Sequence, residues 1–181
     1  MAGSNELRVL RFGIEISVRY HGKRQRYYEA LDTLFGVVTI VGSSGAAASF
    51  LTTMSVNNRI AAGLSIVAAL AQAVEMVTKP SHKAKLHAEL RGRFIDLDAK
   101  FERAGTGITE EEIRKLAGER REIERQEPPE LRVLEAICHN EATAAFGGER
   151  MVSVAWWQEV AVLLGVDLLP SRLQQSRKPK A

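Results

Sequence analysis

Cys138, His139, Asn140 and Glu141 stand side by side in this chain. A thiol, an imidazole, an amide and a carboxylate are the parts of a cysteine hydrolase, in which the base must reach the nucleophile by hydrogen bond. Neighbours on a helix point about 100° apart, so a helical run separates these groups instead of joining them. Cys138 also falls nearly in line with Leu131, Leu134 and Ala142, an apolar stripe on which a cysteine behaves as a small hydrophobe. The four are expected to serve packing and contacts beside the Glu-Pro-Pro turn. His82 and His87 lie on different faces of a helix, so no metal site is expected. There is no P-loop, dinucleotide fingerprint or nucleophile elbow. The sequence therefore implies no catalytic residue, no cofactor and no metal, and reads as a protein that is not an enzyme. With one cysteine an internal disulfide is excluded, which suits a reducing cytoplasm.

Glu75 is the remaining candidate for chemistry, because an ionisable residue within an apolar span tends to be functional. Two readings stand. One is a carboxylate at the water boundary, paired with a neighbouring base. The other is a ring of carboxylates at the inner mouth of an oligomeric pore.

Glu75 closes the second of two apolar runs. The first, residues 33–56 (TLFGVVTIVGSSGAAASFLTTMSV), has no charged residue. As a helix it is roughly 36 Å long, against a hydrocarbon core of about 30 Å. The second, IAAGLSIVAALAQAVEMV, occupies residues 60–77. Asn-Asn at the start of residues 57–59 is turn chemistry, so the pair reads as a tight helical hairpin. In the first run Gly36, Thr39, Gly42, Ser43, Ala46, Ser49 and Thr53 share one helical side. Leu34, Val37, Val38, Ile40, Val41 and Leu51 occupy the other, with Phe35, Phe50 and Ser44 as exceptions. Small residues on one side let helix backbones approach in lipid, and they also suit a narrow pore lining. Both uses remain open from the sequence.

The flanking charges bear on the same question independently. Arg8, Arg11, Arg19, Lys23, Arg24 and Arg26 precede the runs; Lys79, Lys83, Lys85, Arg91 and Arg93 follow them; the connection holds only Arg59. Cytoplasmic flanks collect Lys and Arg, which points both termini to the cytoplasm; the expected location is the cell inner membrane, as a multi-pass protein. Arg19, Lys23, Arg24, Arg26, Tyr27, Tyr28 and Lys79 are the expected membrane-interface anchors. The competing reading is a soluble helical bundle with one very apolar hairpin, and the mean hydropathy of −0.12 does not decide between them. The 181 residues carry a net charge of +3 and a pI near 9.2. Much of that excess flanks the spans, so anionic lipid is the partner it implies. Nucleic acid is not, because KRQRYY at 23–28 is the only basic stretch mixed with aromatics.

The expected fold is all-α. Residues 1–32 form a basic amphipathic N-terminal helix, 33–78 the two-helix transmembrane hairpin, 79–169 a cytosolic helical region and 170–181 a basic disordered tail. Within the third part Leu86, Leu90, Phe94, Leu97 and Phe101 make one stripe, read as packing on the other cytosolic helices. Thr109 and Glu112 make a capping box, Pro128 and Pro129 separate two helices, and Gly147 and Gly148 close the second. Met151 opens a last apolar stretch whose Gln158, Glu159 and Asp167 argue against a third span. That stretch, with Trp156 and Trp157, lies on the membrane or packs on its neighbours.

The order of RYHGKRQRYYEALDTL, a two-span hairpin, HAELRGRFIDLDAKFE and REIERQEPPELRVLEAICHNE resembles the SLATT superfamily of small bacterial membrane proteins, over roughly residues 15–145. The resemblance implies a membrane-perturbing, pore-forming effector of a conflict or anti-phage system. Such an effector acts as a homo-oligomer and receives its signal from a partner protein. The alternative is a membrane-anchored adaptor, without enzymatic activity, whose cytosolic helices bind a partner protein.

Overall fold

The computed structural model describes residues 2–51, 57–148, 152–163 and 165, with side chains for 6–45, 62–105, 107–148, 152–162 and 165. Among them every regular element is helical: α1 (Ala2–Leu51), α2 (Asn57–Thr78), α3 (Pro80–Ala104), α4 (Glu110–Glu124), α5 (Arg132–Ala145) and α6 (Trp156–Leu163), with a 3₁₀ turn at Gly105–Gly107. The expected tail and Thr53 lie outside the described residues. The chain divides into two units, residues 1–22 with 89–181 and residues 23–88.

Two boundaries differ from expectation. α1 is one helix of 50 residues, with no break between the basic segment and the apolar run at 32/33. Residues 57–59, expected as the turn, form the first turn of α2. Asn is only mildly unfavourable in a helix, and a following run of good helix formers outweighs it. The break at Lys79 is where Pro80 demands it. A residue before proline is driven from the α region, and Lys79 takes a left-handed φ of 47°. Pro80 then opens α3, where its fixed φ and missing N–H cost nothing.

In the first unit a core of apolar side chains points inward, while Val9, Ile95 and the α6 tryptophans are exposed. Leu90, Phe94, Leu97 and Phe101 of α3 are at most 3% exposed, so the expected stripe is a core seam. Ile14 of α1 and Ile113, Leu116 and Ile123 of α4 are also buried. A second cluster joins Tyr20, Val133, Leu134, Cys138 and Val162, with Ile16, Leu131, Ile137 and Val154 packed on it. α4 starts at the expected capping box. Glu112 N–H donates to Thr109 Oγ1 at 3.3 Å, and Thr109 N–H donates to Glu112 Oε2 at 2.8 Å. Those bonds to Thr109 hold the Glu112 carboxyl below its usual value. Phe146 caps α5 and Gly147 follows with φ 75°, a conformation glycine adopts without penalty.

In the second unit they point outward. Ile40, Ile66, Leu70, Met76 and Val77 are between 61% and 82% exposed. One helical stretch among the described residues, within Ala62–Ala104, is long and apolar enough to cross a membrane, with a mean hydropathy of 1.3 and 6% of that window buried. α1 and α2 meet at Gly42, where a Cβ would collide with the Ala68 methyl and lie 2.9 Å from the Leu64 carbonyl.

Candidate functional site

The Cys-His-Asn-Glu run is taken apart by its helix, α5. Cys138 is fully buried in the second cluster. The His139 ring meets Phe12 edge-on at 5.2 Å. Asn140 clasps the backbone of Val152 from both sides: Nδ2 donates to the carbonyl at 2.7 Å, and Oδ1 accepts its N–H at 3.2 Å. Glu141 lies 3.9 Å from Arg19. Each of the four side chains has its own neighbour, as 100° steps require.

Of the small face on α1, Gly42 meets α2; Gly45, which is not part of that face, does so too, with Leu64 Cδ1 3.0 Å from where its Cβ would be. A Cβ on Gly36 would meet nothing. Ser43 Oγ donates to the Thr39 carbonyl at 2.7 Å and the Ile40 carbonyl at 3.1 Å. Thr39 Oγ1 is buried without a hydrogen-bond partner. Ala46 and Ser49 lie on α1, but their side chains, like Thr53, lie outside the described residues. Glu75 is half-buried on α2, and its carbonyl accepts the Lys79 N–H at 2.8 Å.

The expected anchors fall into two sets. Arg24, Tyr27 and Tyr28 form an aromatic-cationic stack. Arg24 lies over the Tyr28 ring at 4.6 Å and the Tyr27 ring at 5.3 Å, and donates to the Tyr28 hydroxyl. Tyr28 stacks on His87 at 5.6 Å, and Lys83 sits 5.4 Å from its centroid. Lys23 is half-buried, while Arg26 and Lys79 are exposed. Arg19 instead pairs with Glu15 at 2.7 Å and approaches Glu141 at 3.9 Å within the first unit.

One concave site was not anticipated. A cavity of about 230 Å³ in the first unit is lined by residues of α1 (Gly13, Ile16, Ser17, Tyr20, His21), α4 (Arg120, Glu124), the α4–α5 linker (Glu127, Glu130) and α5 (Glu135). The Arg120 guanidinium reaches α1 at Gly13. A Cβ on residue 13 would stand 2.7 Å from the guanidinium carbon. Arg120 Nε is 2.7 Å from Glu124 Oε1. His21 is 1% exposed, stacks on Phe94 at 5.7 Å, and places Nε2 3.1 Å from Glu127 Oε1. Tyr20 accepts the Leu131 N–H on its hydroxyl at 2.9 Å.

The electrostatics of this cavity centre on Glu130. Partial desolvation raises its carboxyl to about 7, helped by the charges of Glu135, Glu127 and Glu124, although the residue as a whole is exposed. No group of three or more His, Cys, Asp or Glu among the described residues is arranged to hold a metal ion.

The chain matches no protein-family model, no curated protein and no solved structure.

The available sequence signal for this cavity was the density of acids around Pro128 and Pro129, which reads on its face only as a helix break. Tyr20 and His21 sit in a basic, aromatic segment in which nothing local signals burial. The contacts that bury them come from more than a hundred positions away.

Proposed function

We propose that this chain is an integral membrane protein of the bacterial inner membrane. Its two apolar helices cross the bilayer as a hairpin, with both termini cytoplasmic. It acts as a homo-oligomeric, membrane-perturbing effector of the kind the SLATT resemblance implies. The observation that carries the membrane reading is the outward-facing apolar surface of residues 23–88, with Val77 82% and Met76 76% exposed. A contiguous apolar surface of this kind is an association liability in water and the ordinary state of a helix in lipid. Two further features support it. Gly42 against Ala68 is the close backbone approach that small residues permit between spans. The Lys and Arg on both flanks, with Arg59 alone between, favour cytoplasmic ends.

The test has two stages. A tagged chain stays in the membrane pellet through a carbonate wash and is released by detergent; release by carbonate alone would overturn the membrane reading. Overproduction then collapses the membrane potential, read with a voltage-sensitive dye. An intact potential under every inducing condition would remove the effector role.

A second reading is favoured by α6. Trp156 is 77% and Trp157 46% exposed, an arrangement common at protein interfaces. In this reading the hairpin only tethers, and the cytosolic helices bind a partner protein. A partner recovered from detergent extract with the wild type but lost with Trp156→Ser would select it.

A further inference from the structure

Two short segments of the second unit, residues 23–28 and 79–87, carry Lys23, Arg24, Arg26, Lys79, Lys83 and Lys85 and no acid. Two of these cations converge on one ring. The Arg24 guanidinium lies 4.6 Å and the Lys83 ammonium 5.4 Å from the centroid of Tyr28. Tyr27 meets Tyr28 edge-on at 5.2 Å and lies 5.3 Å from Arg24, while His87 stacks on Tyr28 at 5.6 Å. Neither Arg24 nor Lys83 is paired with a carboxylate among the described residues. Arg24 Nε is shielded from solvent and has no hydrogen-bond partner. The Tyr28 hydroxyl accepts from Arg24, which leaves its own proton to donate elsewhere. Two cations and a hydroxyl donor thus stand around one ring with no anion among them.

We infer that this cluster is a site for the phosphate of an anionic phospholipid in the cytoplasmic leaflet, held by Arg24, Lys83 and the Tyr28 hydroxyl. The inference rests on the membrane reading given above.

Depth makes a lipid the source of that phosphate. Tyr28 precedes the apolar run at Thr33 by five residues, about 8 Å of helix. The headgroup layer on each side of the hydrocarbon is roughly 5–8 Å thick, so the ring and its cations stand at the level of the phosphates. A guanidinium and an ammonium give a phosphate charge-assisted hydrogen bonds, which are stronger than neutral ones. Cation–π contacts already hold both side chains, so they lose little freedom on binding. A zwitterionic headgroup brings its own cation and is disfavoured beside these two. All this separates a site from a basic flank. A flank attracts an anionic surface through its summed charge, to which every lysine contributes alike. A site depends on the lysine that reaches the ring. Lys85 is the reference for that distinction. It is exposed, bears the same charge as Lys83, and lies about 200° away from it around α3.

The experiment uses the full-length tagged protein, immobilised in a neutral detergent and exposed to radiolabelled phosphatidylglycerol. Wild type is expected to retain the label and to lose it to unlabelled phosphatidylglycerol. Phosphatidylcholine and millimolar inorganic phosphate should leave it bound. Lys83 is exposed, so Lys83→Gln empties no core position. That variant should weaken retention about tenfold, the loss of one hydrogen bond to a charged group. Tyr28→Phe keeps the ring, removes the hydroxyl and should act in the same direction. Lys85→Gln should stay close to wild type. Equal losses in Lys83→Gln and Lys85→Gln would overturn the site in favour of a diffuse basic flank. Displacement by inorganic phosphate as complete as by phosphatidylglycerol would overturn the lipid as its occupant. The carbonate wash judges the membrane reading separately. A wash-resistant chain with no preference for phosphatidylglycerol over phosphatidylcholine refutes the headgroup site alone.

Discussion

The first unit and the second obey opposite rules with the same kind of helix. In residues 1–22 and 89–181, Phe94 and Ile14 are fully buried. In residues 23–88 large apolar side chains such as Met76 and Val77 are outermost, and Gly42 brings α1 close to Ala68 of α2. Water drives the first arrangement, since burying apolar area is worth about 25 cal/mol per Å². In the membrane setting proposed above it does not drive the second, where close backbone packing takes its place. The lesson is that amphipathic pattern reports the solvent as much as the fold.

Substitutions that treat the two units alike should break that contrast, and those that treat them differently should sharpen it. The largest effect is expected at Phe94. Phe94→Ala empties a fully buried position and should cost about 3–5 kcal/mol, whereas Val77→Ala should leave stability in detergent nearly unchanged. Denaturation of both in the same detergent checks the pair, and equal losses would erase the contrast.

Next comes Leu70→Arg, a charge on an outward face of α2. It should oppose insertion by about 2.5–3.5 kcal/mol and shift the chain from the carbonate-resistant pellet toward the soluble fraction. A variant that inserts as well as wild type would argue that Leu70 does not face lipid.

Tyr20→Phe is smaller. It strands the Leu131 N–H and should cost about 1–3 kcal/mol, visible as a lower melting temperature of the first unit. Thr109→Ala is the smallest, about 1 kcal/mol for a lost N-cap, and should raise hydrogen exchange in the first turn of α4 without changing membrane retention.

Some of this was legible residue by residue. The stripe from Leu90 to Phe101, the Thr109 and Glu112 box, the stop at Lys79 and the buried side of Cys138 all follow from local rules, and the structure keeps them. Local rules failed where a distant partner decides. Asparagine's preference for turns predicts one at Asn57, but the helix that follows absorbs it. Tyr20 sits among basic neighbours that give no local sign of burial, yet its hydroxyl is spent on Leu131. The acidic cavity was hidden for the same reason. Its walls come from α1, α4, the linker and α5, and no window of sequence contains them together.

The Asn140 clasp has a practical side. It ties the backbone at Val152 to α5 by side-chain bonds at 2.7 and 3.2 Å, while Gly148 is already tied back by its N–H to the Thr143 carbonyl at 2.9 Å. Both ends of the stretch between Gly148 and Val152 are therefore fixed without help from what joins them. Each doubling of a flexible connection costs only about 0.6 kcal/mol. An epitope or a small reporter spliced in after Gly148 should leave both anchors in place, which makes this the point at which the protein can be labelled internally.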